Sequence, residues 1–410
     1  MFISFFPYPR IFFTSFLVWC SILVGVWYKL GDDLGRFLGF QIPLKEEQVI
    51  FGLSFFFSQK FLWFYLFYFT ATVLFYFFWK VISRRNKWLV WSILGSSLII
   101  FLTWFSVQFM VAYNNWLRPF FDMIQDALSG KRTVEVMEIY TLLFSIFGVF
   151  AIGAIVFVFN RFFTSHYIFR WRTAMNDYYI FQWSQIRTIE GASQRVQEDA
   201  MKFSSIMQGL GTSMMDSIMT LFAFLPVMIE LSVHVKELPI VGAIPAPLLF
   251  ASIGWSLFGT LLLIIVGIKL PGLEFENQKV EAAYRKELVY GEDDKKRAGL
   301  KILQLLYNDV RANYFRLYFH YAYSNVARIS YIYADYIFVL FIMAPTIAAG
   351  GITFGIFTQI RMALFQVSNS FQYLVNSWTT IIDLLSVHKR LAHFEEAIKN
   401  QNRNKSIPPA

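Results

Sequence analysis

Residues Leu270–Asp294 read LPGLEFENQKVEAAYRKELVYGEDD. An apolar run from Leu248 to Leu270 leads directly into this stretch, which goes on as a charged helix where a turn is expected. Glu281 and Arg285 stand at i, i+4 in the favourable order, which supports helix over disorder. The stretch from Arg161 to Thr212 repeats the pattern, with Glu198 and Lys202 at the same spacing. Membrane helices that run past the bilayer account for both: at 1.5 Å per residue, a twenty-residue extension projects about 30 Å.

Composition sets the solvent. Hydrophobic residues make up 57% of the 410, aromatic residues 20% and charged residues 15%, against roughly 25% charged in soluble chains. A span needs roughly 20 apolar residues. Eight such runs are expected: Ile11 to Leu30, Phe61 to Trp79, Trp88 to Tyr113, Ile139 to Phe163, Ser213 to Val233, Leu248 to Leu270, Tyr321 to Pro345, and Ile356 to Ser386. The fold class is all-α and polytopic. WLRPFFDMIQDAL, Trp116 to Leu128, is expected as an amphipathic outer helix lying on the membrane, with Pro119 near its start. The single cysteine, Cys20, lies inside the first run and forms no disulfide within the chain.

Orientation follows from basic residues, which are retained on the cytoplasmic side. Lys80, Arg84, Arg85 and Lys87 mark the second connection as cytoplasmic, while Asp32, Asp33, Glu46 and Glu47 before it and Asp122, Asp126, Glu135 and Glu138 after it mark the outside. Both termini are then expected inside. The net charge of +9 gathers in these inner segments and calls for no nucleic acid. Six spans with two long inner hairpins outline an ABC-exporter membrane domain. The expected organisation is therefore a two-helix segment over 1–87, the exporter-like domain over 88–397 and a polar tail over 398–410.

Four blocks carry a resemblance that runs essentially end to end. They are FTSHYIFRWRTAMNDYY from Phe163 to Tyr179, IEGASQRVQEDAMKF from Ile189 to Phe203, the Leu270–Asp294 stretch, and NYFRLYFHYAYSNVARI from Asn313 to Ile329. FFPYP at Phe5 to Pro9 and HKRLAHFE at His388 to Glu395 extend it. In these blocks the chain resembles the SbmA/BacA family of bacterial peptide transporters. The Trp-Arg and Gln-Arg-x-x-Glu-Asp elements add a weaker likeness to fatty-acyl ABC transporters. The family resemblance implies a homodimer in the bacterial inner membrane that imports peptides and peptide-like antibiotics on the proton gradient, with no ATPase partner and no cofactor.

A phosphate-cradling loop needs Gly-x4-Gly-Lys-[Ser/Thr]. The pair Gly130 and Lys131 is followed by Arg132, so the sequence carries no such loop. The alternative is the membrane subunit of a two-component, ATP-driven transporter. EAAYRKELVYG superficially resembles an importer docking loop, but its glycine, Gly291, lies too far downstream. A potential of roughly 150 mV gives each proton about 3.5 kcal/mol, a few hundredfold in solute concentration. A carboxyl that carries protons near neutrality must be pushed up from about 4.3 by burial or a like charge.

The resemblance, which implies protonatable glutamates along the translocation cavity, points to Glu190, Glu198, Glu274, Glu281 and Glu287. Helical geometry puts Glu274, Glu281 and Glu292 on one face and Glu276 and Glu287 on roughly the opposite one; a helix break at Gly291 would take Glu292 out of the first set. Solvated charged helix is the plain alternative for each of these carboxylates. Charges inside spans are costly and usually face a pore or a partner. Asp335, in the middle of the seventh span, is the foremost case, with Arg328 and Arg361 as counter-charge candidates. Asp216 with Ser213 fits a helix-start capping box. The five histidines have no metal-ligand spacing, and no Ser or Cys sits in a nucleophile context.

Overall fold

The computed structural model describes residues 1–42, 52–84, 86–187, 189, 191–235, 237–239, 241–294 and 296–405. Its principal helices are α1 (Pro9–Phe37), α2 (Gln59–Ile82), α3 (Ser96–Leu128), α4 (Val136–Phe181), α5 (Ala192–His234), α6 (Pro247–Gly267), α7 (Leu270–Asp293), α8 (Leu300–Ala348), α9 (Phe354–Asn376) and α10 (Trp378–Lys405). Among the described residues there is no strand beyond one isolated bridge, Leu238 to Gly242. The protein is an all-α polytopic membrane protein. Among the described residues, seven helical segments are long and apolar enough to cross a membrane, α6 and α7 counting as one. The expected eighth, Ile356 to Ser386, is divided at Ser377 between α9 and α10.

The helices outrun the apolar runs that revealed them. α4 continues through Phe181, and α8 begins at Leu300, well before the apolar run at Tyr321. Many outward side chains on these helices are apolar, among them Phe147, Ile155 and Phe162 on α4. Such faces suit hydrocarbon, and every backbone group inside a helix is already paired.

The contacts group into two units. The first holds Met1–Val227, Ile352–Ala363 and Thr380–Ala410. Its core is aromatic: Phe5 stacks on Trp171 at 5.9 Å, and Trp79, Tyr179 and Phe203 are fully buried with them. Polar tips find partners, as buried Tyr and Trp require. Tyr167 and Ser96 share a 2.6 Å hydrogen bond, and Tyr179 donates to Glu395 at 3.0 Å. A second cluster joins Phe56, Phe109, Trp116 and Ile146.

That second cluster corrects the expected surface helix. Trp116 to Leu128 continues α3 without a break, with Pro119 inside it. Trp116 is buried, donates to the Leu142 carbonyl at 2.9 Å and stacks on Phe120 at 4.3 Å. The apolar face that suggested a lipid surface covers α4 instead. Asp122 accepts the Gly355 N–H at 2.9 Å and so caps α9, and a Cβ at Gly355 would collide with the Arg118 carbonyl. Asp216 corrects a second expectation, since Ser213 lies inside the continuous α5 and starts no helix.

The second unit holds Met228–Gly351 and Leu364–Thr379. α7 and α8 form its long hairpin, and α6 packs on α8. Gly291 does not break α7, which runs on to Asp293. Its missing side chain makes room for Ala298 as the chain turns back. At the α6–α8 crossing a Cβ on Gly259 would overlap the Tyr331 phenol. Gly259→Val should therefore destabilise the protein by roughly 1–3 kcal/mol, read as a lower Tm in detergent. Adding Tyr331→Ala should recover part of that loss, and no recovery would count against this contact.

Candidate functional site

The sites expected to carry protons divide by the kind of group that holds them. Asp335 lies half-buried on α8. The Trp255 indole N–H of α6 donates to its Oδ1 at 2.7 Å, and the Ser368 hydroxyl of α9 is a second partner. Ser256, fully buried, links on to Ser368 at 3.4 Å. Aromatic rings cover this polar seam: Trp255 stacks on Phe338 at 4.1 Å and on Tyr331 at 5.4 Å. Tyr331 donates to the Trp255 carbonyl at 3.3 Å. Among the described residues no cation pairs with Asp335. Arg328 is exposed on α8, and Arg361 is exposed on the part of α9 that belongs to the first unit.

Glu274 follows the same pattern. It is half-buried near the start of α7, and the Tyr321 hydroxyl of α8 donates to its Oε1 at 2.5 Å. One turn along, Asn313 donates to buried Asn277 at 3.2 Å, which holds the two helices in register. Glu281 is also half-buried, and no ion pair reaches it among the described residues, Arg285 included. Glu276, on another face, is exposed and pairs with Lys279 at 3.5 Å.

Glu287 is different in kind. Its side chain is 18% exposed, accepts the Ala298 N–H at 3.2 Å and lies 3.8 Å from the Arg297 guanidinium. Arg297 in turn sits over the Tyr290 ring at 4.7 Å. These contacts tie the tip of the α7–α8 hairpin, where Ala298 has a positive φ of 53°. Glu198 is exposed on the first unit, where the Gln194 amide donates to it at 3.1 Å. Lys202, its expected partner, lies 3.9 Å from Asp383. Glu190 falls outside the described residues.

One charged cluster escaped sequence reasoning. Asp199, 2% exposed, is gripped by Arg195 at 2.6 Å and by two nitrogens of Arg390, the nearer at 2.6 Å. Hydrogen bonding to Asp199 pushes the Arg390 guanidinium further up from its already high ordinary value. The i, i+4 spacing of Arg195 and Asp199 was a legible sign of it. Arg390, 191 positions from Asp199, was not. A buried carboxylate with two cations stays ionised, and the role of this cluster is to fasten α10 to α5.

Comparison with known proteins puts this polytopic helical chain in the class of membrane transporters. The SbmA/BacA-like family model matches residues 85–399, and the chain belongs to that family. It is 25% identical over 351 residues to an uncharacterized ABC transporter ATP-binding protein, sll0182, of Synechocystis, covering 80% of this chain and 50% of that protein. It is 22% identical over 322 residues to the inner membrane ABC transporter ATP-binding protein YddA of Escherichia coli, covering 73% of this chain and 56% of that protein. The chain thus spans about half the length of these curated relatives.

If Trp255 and Asp335 act as a pair, their losses are not additive. Trp255→Phe and Asp335→Asn should each lower stability by roughly 0.6–2 kcal/mol, the range of interhelical hydrogen bonds in membranes. The double variant should lose clearly less than the sum. Additive melting shifts would show that the two side chains act independently.

Proposed function

We propose that the protein is a homodimer in the bacterial inner membrane, with both termini in the cytoplasm, that imports peptides and peptide-like antibiotics on the proton-motive force. One observation carries the reading: Glu274 and Asp335 are held across helices by neutral donors, a phenol in one case and an indole with a hydroxyl in the other. A carboxylate gripped by arginine is locked in its ionised form, because the cation favours that form strongly. Hydroxyl partners can serve as donor or acceptor and so suit both protonation states.

In this mechanism Glu274 is the principal carrier. Glu281, half-buried on the same helix and free of any ion pair among the described residues, is the second. Glu198, on the first unit, is a further candidate that the family resemblance points to, as is Glu190. Asp335 biases the packing of α6 against α8 as it changes charge. Glu287 holds the hairpin tip and serves the cycle by keeping α7 and α8 in register.

A second reading is favoured by the relatives, both named as ATP-binding proteins of ABC transporters. There the chain is the membrane part of an ATP-driven transporter. Purified protein in sealed vesicles separates the two. Under an imposed pH step and potential, without nucleotide, labelled peptide should accumulate, and a protonophore should abolish the accumulation. Glu274→Gln should reduce gradient-driven uptake at least tenfold while peptide exchange across the membrane persists. Accumulation that needs ATP and ignores the protonophore would establish the second reading.

A further inference from the structure

The first unit contains a polar cavity that the carboxylates above do not use. It measures about 410 Å³ and lies among α3, α4 and α5. That is within the roughly 300–1,000 Å³ of small-molecule sites. Arg161 on α4 and Asp216 on α5 both line it, and both are exposed. No ion pair within 4 Å joins either of them to any described residue. Charges of opposite sign that line one cavity without pairing to a described residue are left to water or to a ligand.

Other polar groups of the cavity are held by hydrogen bonds. Asn160 donates to Thr103 at 3.3 Å and accepts from Thr164 at 3.5 Å, and the Gln208 amide donates to Ser165 at 2.7 Å. The backbone is adapted as well. Met207–Gly211 is a π-helical turn, a form that recurs at functional sites because it bulges the helix locally. Gly209 within that turn lines the cavity, and a Cβ there would meet nothing within 4 Å.

From this arrangement we propose that the cavity binds a small zwitterion of dipeptide size, its carboxylate on Arg161, its ammonium on Asp216 and its peptide group on the amides of Asn160 and Gln208. An anion alone would leave Asp216 opposing it, and a cation alone would leave Arg161 opposing it. A ligand with both charges matches both groups. The site stands apart from proton-coupled uptake, because equilibrium binding needs no gradient.

The test is calorimetric titration of the full chain in lipid nanodiscs with Ala-Ala, N-acetyl-Ala-Ala and Ala-Ala-amide. Wild type should bind Ala-Ala, and each blocked form should bind about tenfold or more weakly, the worth of one charge-assisted contact. In Asp216→Asn the acetyl group should no longer matter, and in Arg161→Gln the amide should no longer matter. The wild-type comparison needs no variant to fold. Absence of Ala-Ala binding by folded wild type would overturn the proposal. So would equal binding of all three peptides, or sensitivity to one blocking group alone, which would mark a site for a single charge. Failure here with gradient-driven uptake intact would leave the proposed function standing, and the converse result would leave this site standing.

Discussion

A carboxylate on a membrane helix has to be satisfied from within the protein, and the chemistry of whatever satisfies it decides what it can do afterwards. At four carboxylates of this molecule the partners are of two kinds. Asp199 and Glu287 meet guanidinium groups. Glu274 and Asp335 meet a phenol, an indole and a serine hydroxyl. The first kind fastens elements together. The second kind holds a carboxyl in place with neutral donors and no counter-charge, the feature on which the proposed proton coupling rests.

The scaffold supports that division. Long uninterrupted helices carry the same chain from apolar to polar surroundings, so that α7 begins with Glu274 in a half-buried setting and ends at a tip stapled by Glu287 and Arg297. The α7–α8 hairpin is aligned by Asn277 with Asn313 as well as by Glu274 with Tyr321. A change at Glu274 is therefore a change in how two long helices are joined. In the first unit the aromatic core around Trp79, Trp171 and Tyr179 supplies a rigid base, and Asp199 with its two arginines anchors α10 to it.

Much of this was legible in the sequence. Apolar runs mark the spans because hydrocarbon demands about 20 such residues, and mixed charges at helical spacing mark the extensions. Asp335 stands out as a charge in a span, which suggested a place at the cavity or the dimer seam; its indole partner was not suggested. What escaped is non-local. Amphipathicity at Trp116 to Leu128 records that one face is apolar, but a lipid surface and the flank of α4 are equally good cover for it. Gly291 looks like a helix breaker until Ala298 is placed against it. The partners Trp255 for Asp335, Tyr321 for Glu274 and Arg390 for Asp199 lie 80, 47 and 191 positions away, and no spacing rule reaches that far.

The most direct test of the central idea is to record protons as peptide moves. Purified protein in sealed vesicles holding a pH-sensitive dye, with the potential clamped by potassium and valinomycin and no nucleotide present, would be given peptide on one side only. The account predicts acidification of the lumen that starts with the peptide and scales with its uptake. Peptide uptake with no accompanying proton movement would contradict it.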